Sequence, residues 1–243
     1  MTTTTPTALD GLGLISLAEV EHAAPLHVRA DNKHLVDVAV LDDLLERLEP
    51  THRALEIDGR RAFAYDTVYF DTDELLTARA HVQRRRHRFK CRSRLYTDTS
   101  ACAFELKVKG ARGTTIKHRI PYQPALHGTV TRDARAFLAE HLEHVPDLHP
   151  VLRNTYTRIT LAAPGERMTI DLDLSYGDAW IRPGWAIVET KSARGAGIAD
   201  RELRRLGSRP LPMSKYLLGT GLIHMTAPPN DTRRIARRYF ARA

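Results

Sequence analysis

The chain has 243 residues, enough for one large or two small domains, and its 42% hydrophobic content supports a buried core. Its 37 Lys and Arg outnumber 29 Asp and Glu, and the resulting +8 charge favours anionic partners: nucleotides, nucleic acid, polyphosphate or an acidic membrane surface. No apolar run is long enough to span a membrane, and the start of the chain lacks the basic and apolar regions of a signal peptide, so a cytoplasmic protein is expected.

Residues 1–20 read as a flexible leader, opened by a run of threonines. A first strand, about 25–35, holds Arg29, Asp31 and Lys33 at alternate positions. The stripe Leu41, Leu44, Leu45 and Leu48 predicts a helix over 38–48. Strands are expected at 62–71, 84–97, 101–109 and 114–122, with a Gly110–Gly113 turn closing the last hairpin. Thr131 starts a helix over 131–144 with Ala134, Phe137, Leu138 and Leu142 inward, and Pro146 and Pro150 end it. Strands over 152–162, 166–175 and 184–193 follow, the first two separated by Pro164-Gly165. A short helix at 199–206 and a basic one at 231–241, with Arg233, Arg234, Arg237 and Arg238, complete about eight strands and four helices. Cys91 and Cys102 fall on neighbouring strands but match no metal spacing, and free thiols are expected.

The informative feature is the charge alternation. Arg86, Arg88, Lys90, Arg92 and Arg94 occupy every second position, and a strand sends such positions to one face. Glu105, Lys107 and Lys109, then Lys117 and Arg119, repeat the pattern between apolar residues. Arg167, Asp171 and Asp173 alternate with Met168, Ile170 and Leu172, and Glu189 and Lys191 flank the parity of Val188. Half-buried antiparallel strands are ordinarily wet and polar on one side. Here, however, cations dominate that side, and like charges on neighbouring strands repel unless an anion joins them. The carboxylates Glu105, Asp171 and Glu189 at the same parity suit a cavity holding a polyanion with a divalent metal. An antiparallel eight-stranded β-barrel with a polar lumen and helices packed outside would use this alternation, an α+β, mostly β fold.

Eight short segments occur in order: Arg29-x-Asp31-x-Lys33, Val68-Tyr69-Phe70-Asp71-Thr72, Lys90-x-Arg92-x-Arg94-x-Tyr96, Phe104-Glu105-x-Lys107-x-Lys109, Tyr156-x-Arg158, Arg167-x-Thr169-x-Asp171, Glu189-x-Lys191 and Ser214-Lys215-Tyr216. Together they resemble the catalytic domain of the vacuolar transporter chaperone (VTC) polyphosphate polymerases, within the triphosphate tunnel metalloenzymes, over roughly 25–223. The resemblance implies that Lys33, Arg92, Arg94, Lys107, Arg158, Arg167, Lys191 and Lys215 line a tunnel and hold phosphate oxygens. Lys117, on a strand without a distinctive motif, is added to that set. Glu189 is implied as the principal metal ligand. Asp31 replaces the family's usual glutamate and His34 its usual tyrosine, so Asp31 is discounted as a direct ligand.

The resemblance thus implies a Mn2+- or Mg2+-dependent enzyme that moves the γ-phosphoryl group of ATP, or another nucleoside triphosphate, onto inorganic polyphosphate. An inorganic triphosphatase of the same fold and a non-catalytic polyanion-binding module are the alternatives. Nucleic acid ranks low as a partner, because aromatic residues are 7% of the chain and none interleave with the basic strands as a stacking platform. The tunnel domain is placed at 21–225, followed by a basic C-terminal helix at 226–243.

Overall fold

In chain order the first elements are β1 (Gly13–Ile15), α1 (Leu17–Ala23), β2 (Ala30–Asp37), α2 (Leu41–Leu48), β3 (Arg53–Leu55), β4 (Ala62–Asp71) and α3 (Leu76–Val82). Next come β5 (Phe89–Tyr96), β6 (Ala101–Lys109), β7 (Thr115–Tyr122), α4 (Arg132–Ala139), β8 (His149–Ala163) and β9 (Glu166–Ser175). The chain finishes with β10 (Ala179–Ile181), β11 (Trp185–Ser192), α5 (Ile198–Arg205), α6 (Lys215–Ile223), α7 (Asn230–Tyr239) and β12 (Phe240–Arg242). These come from a computed structural model that describes residues 5–23, 30–110, 115–193, 195–224 and 230–243. Arg29 and most of the expected Gly110–Gly113 turn lie outside the described residues.

The chain divides into two units: Met1–Phe63, Tyr156–Leu174 and Ile181–Pro212 form one, and Ala64–Thr155, Ser175–Trp180 and Met213–Ala243 the other. In the first unit β11 pairs antiparallel with β2 on one side and β9 on the other. β3 pairs antiparallel with β8 and parallel with β1. Even positions of β11 and β9 (Ala186, Val188, Met168, Ile170, Leu172) join the α2 leucines Leu41, Leu44, Leu45 and Leu48 in a core at most 1% exposed. Each such leucine contributes about 1.5–3 kcal/mol by burial. Asp37 caps the turn before α2 by accepting from Ala39 N–H at 2.9 Å, so the expected 38–48 helix begins with one 3-10 turn.

In the second unit β4, β5, β6 and β7 pair antiparallel in sequence order. Val68, Phe70, Phe89, Cys91, Phe104 and Leu106 make its core beneath Ala134, Phe137 and Leu138 of α4. Phe70 stacks on Phe104 with centroids 5.6 Å apart. Thr131 caps α4, its hydroxyl accepting from Ala134 N–H at 3.2 Å. Cys91 faces Leu106 and Cys102 faces Leu95 in the β5–β6 register, and both thiols are buried and free.

Several expectations need correction. The sheet is not a closed eight-stranded barrel: among the described residues it has twelve strands, β7 pairs only with β6 and β2 only with β11. β7 suits an edge, since Pro121 offers no N–H and Lys117 and Arg119 put charge on it. Residues 84–88 are not strand; β5 begins at Phe89, so Arg86 and Arg88 stand outside the alternating row. The cause is the end of α3, where Arg84 takes φ 54° and Arg85 N–H bonds back to Ala80. Residues 5–20 are ordered rather than a leader: Leu9, Leu12, Ile15 and Val20 are buried and β1 is paired. Among the described residues no helix is long and apolar enough to cross a membrane.

Candidate functional site

Each unit presents one charged sheet face, set by the parity that buries the other. In the first unit Lys33 of β2 lies opposite Glu189 of β11, and Lys191 lies opposite both Asp31 and Arg167. Glu189 accepts from Lys191 Nζ at 2.7 Å and stands 3.7 Å from Lys33 Nζ. Burial pushes the Lys191 ammonium below its ordinary pKa, and Glu189 opposes that shift. Arg158 of β8 donates to both oxygens of Asp171, Nε at 2.6 Å and a terminal nitrogen at 2.9 Å. Arg167 donates to the Val20 carbonyl at 2.6 Å, which fixes its guanidinium against α1. The structure therefore brings Lys33, Glu189, Lys191 and Arg167 into adjoining register rows, with the Arg158–Asp171 pair on the same sheet.

His34, one residue along β2, points to the opposite, core side. It is fully buried, 3.2 Å from the Ser208 hydroxyl and 3.8 Å from the Asp200 carboxylate. Burial raises the Asp200 pKa, but the nearby His34 and hydrogen bonds from Asn32, Thr190 and the Gly197 N–H outweigh it and leave the carboxyl well below its usual range. His34 and Asp200 thus hold β2 to α5 from behind the charged face.

In the second unit the register produces three rows across the strands. Lys90, Lys107 and Lys117 are directly opposite one another on β5, β6 and β7. Tyr69, Arg92, Glu105 and Arg119 form the next row, and Thr67, Arg94 and Ala103 the third. Glu105 is 1% exposed and sits among cations: Arg92 donates Nε at 2.6 Å, Lys117 forms an ion pair, and Arg94 is 3.9 Å away. Burial raises the Glu105 pKa, yet the three cations hold it well below the ordinary value. Burial pushes Lys117 down to about 8, with Glu105 opposing. Arg92 lies 5.9 Å over the Tyr69 ring and Arg94 lies 5.3 Å over Tyr65, so aromatic faces orient both guanidinia.

Lys215 opens α6, whose N-cap Ser214 accepts from Leu217 N–H and from Lys90 Nζ at 3.0 Å. The adjacent Tyr216 stacks on Tyr69 with centroids 4.9 Å apart and donates to Asp71. Asp71, fully buried, also accepts from the N–H groups of Thr72, Thr77 and Ala78 and from the Thr77 hydroxyl. The segment Val68–Thr72 is therefore a scaffold: Phe70 enters the core, Tyr69 supports Arg92, and Asp71 ties β4 to α3 and α6.

Lys90 was absent from the expected set of site residues, although its parity with Arg92 and Arg94 was visible in the sequence. Tyr69 and Tyr65 were missed as supports because sequence pattern does not report which ring lies under which cation. Of the three carboxylates, Glu189 keeps the most side-chain exposure, 13% against 0% for Asp171 and Glu105. Both oxygens of Asp171 are taken by Arg158, and Glu105 is committed to Arg92 and Lys117. Among the described residues no cluster of three or more His, Cys, Asp or Glu forms a protein-only cage. One carboxylate beside cations suits a hard ion that takes its remaining ligands from water and phosphate oxygens.

These faces and this sheet define an antiparallel β fold of the triphosphate tunnel type. The VTC domain family model matches residues 28–224, and the chain belongs to that family. Among solved structures, it is similar to HpAC1 of Hippeastrum, an adenylyl-cyclase candidate with a dominant triphosphatase activity. They share 16% identity and a TM-score of 0.52 over 82% of this chain and 97% of that one. An adenylate-cyclase candidate from Bacillus halodurans is similar at 14% identity and a TM-score of 0.46, covering 77% and 94% of the two chains. No curated protein matches the chain in sequence.

Proposed function

We propose that this protein is a metal-dependent polyphosphate polymerase that uses ATP or another nucleoside triphosphate. The terminal phosphate oxygen of the growing chain attacks the γ-phosphorus. The bond from γ-phosphorus to the β,γ-bridging oxygen breaks with its electron pair, and the nucleoside diphosphate leaves. The observation that carries the reading is the in-register row Lys90, Lys107 and Lys117. The row gathers lysines on one sheet face, where Glu105 already pairs with Lys117, and a face so rich in cations suits a bound anion. With family membership, that anion is a chain of phosphates.

The residues' tasks follow from their surroundings. Arg92, Arg94 and Arg158 present forked donors suited to phosphate oxygens, while Lys33, Lys107, Lys117, Lys191 and Lys215 act as point charges. Glu105 and Asp171 hold the guanidinia in place. Bound manganese or magnesium, held through Glu189, would add charge neutralisation between phosphate oxygens. The two free cysteines agree with a reducing, cytoplasmic setting.

Hydrolysis is the second reading: the same cationic faces with water as acceptor make a triphosphatase, and the HpAC1 likeness is the observation in its favour. The deciding assay incubates the protein with ATP and manganese or magnesium and resolves products on a polyphosphate-stained gel. Chains that lengthen in step with ADP release support synthesis. Orthophosphate alone, with tripolyphosphate cut faster than ATP, establishes hydrolysis instead. Glu189→Gln should keep the fold and lose turnover by about a thousandfold, the scale of a charge-stabilising group in phosphoryl transfer.

A further inference from the structure

Between residues 230 and 243 the chain carries five arginines against the single acid Asp231. In α7, Arg233, Arg234, Arg237 and Arg238 recur at three- and four-residue spacing and stand with Asn230 along one shallow groove. All four guanidinium side chains belong to exposed residues, whereas Thr232 and Ile235 on the other side are buried at 6% and 3%. The helix is anchored at its far end. The chain passes directly into β12, which lies beside β10, and Ala243 N–H donates to the Asp178 carbonyl at 2.9 Å. Phe240 is buried, its ring 6.3 Å from that of Tyr176. The arginines are therefore held in a row rather than on a fraying end.

That arrangement has an intrinsic cost. Arg233–Arg237 and Arg234–Arg238 are like-charge pairs at i,i+4, and Asp231 lies 3.7 Å from Arg234. A linear anion laid along the groove would neutralise the whole row. A membrane surface fits less well, because the apolar side of α7 is already buried in the protein and cannot enter a bilayer. Single-stranded nucleic acid fits less well too: the helix offers one aromatic ring, Tyr239, and Arg238 lies over it at 5.2 Å.

We propose that the α7 arginine row is a binding strip for long inorganic polyphosphate, made of different residues from the sheet faces that hold the reacting phosphates. The choice of polyphosphate rests on the polymerase reading above. The strip would retain the product chain between successive transfers, so it should affect processivity and long-chain affinity rather than capture of a triphosphate.

The test compares the full chain with a variant in which Arg233, Arg234, Arg237 and Arg238 are all changed to Gln, a good helix former. Binding of long-chain polyphosphate and of tripolyphosphate is measured at 50 and 200 mM salt. Four neutralised phosphates give a slope of about 2.8 in log affinity against log salt, so the wild-type long-chain affinity should fall about fiftyfold more than the variant's over this range. Tripolyphosphate affinity should be unchanged. A second variant with the same four positions changed to Lys should bind long chains like wild type. Equal long-chain affinity and salt slope in wild type and the Gln variant would overturn the proposal. So would loss of binding to phosphatidylserine vesicles or single-stranded RNA with polyphosphate binding intact. If tripolyphosphate fails to bind wild type while long chains still depend on the arginines, the strip stands and the polymerase reading falls.

Discussion

Glu105→Gln isolates the electrostatic logic of the second unit, because it removes one charge and almost no volume. Glu105 is 1% exposed and contacts Arg92 and Lys117 directly, with Arg94 at 3.9 Å. Removing one partner of a buried pair typically costs about 3–5 kcal/mol, since it strands the remaining charge. Lys117 keeps 35% of its side-chain exposure and can turn to water, which places the expected loss near the lower end, about 3 kcal/mol. For a chain of this size that lowers Tm by roughly 6–12 °C. A bound polyanion should supply the missing negative charge, so saturating tripolyphosphate should raise the variant's Tm more than it raises the wild type's, and the variant should bind it more tightly. Thermal melts with and without tripolyphosphate, paired with titration calorimetry, measure both effects. An unchanged Tm, or weaker anion binding by the variant, would refute the role of Glu105 as the charge that holds this face together in the absence of ligand.

Three further outcomes are expected. Burial raises the Asp66 pKa, but His127 at 3.3 Å and the hydrogen bonds from Arg153 outweigh it and hold the carboxyl at about 2, against an ordinary value of 3.8. A depressed carboxyl pKa stabilises the fold fully above the unfolded value and loses that contribution as pH falls from about 4 through 2. Arg153 is largely exposed and screened, so the contribution is about 1–2 kcal/mol, and Asp66→Asn should flatten the acid limb of a stability-versus-pH curve by that amount. Lys117, at about 8, is mostly neutral at pH 8.5, so binding tripolyphosphate there should take up about 0.8 proton, visible as a buffer-dependent binding enthalpy that Lys117→Arg abolishes. Gly219→Ala in α6 should cost about 1–3 kcal/mol in chemical denaturation, because a Cβ there would come within 3.0 Å of both the Tyr176 ring and the Leu152 side chain.

Much of the charged faces was legible from residue type and parity. A two-residue alternation identifies a strand and assigns its side chains to faces, so Arg92 with Arg94, Glu105 with Lys107, and Glu189 with Lys191 could be grouped before any pairing was known. The leucine stripe of α2 and the Thr131 cap were equally local signals. β1, β3, β10 and β12 were not legible: each has three residues, too few for a period to register. α6 was missed because Lys215–Ile223 is apolar around most of its circumference and carries two glycines, so it shows no stripe. The ordered residues 5–20 were obscured by the neighbouring threonine run.

By itself, then, the sequence determined which side chains share a strand face and that those faces are cationic, because both follow from the pleat. Only the tertiary structure decided what stands beside what. The β5–β6–β7 register sets three lysines in line and places Glu105 between Arg92 and Arg119, and no single strand encodes its neighbour's register. Pairing likewise decided that, among the described residues, β7 joins only β6 and β2 only β11. Burial and hydrogen bonding then separated carboxylates that look alike in the sequence. Asp171 is clamped by Arg158 and Glu105 is committed to cations, whereas Glu189 stays 13% exposed between two lysines, a difference set by neighbours distant in the chain.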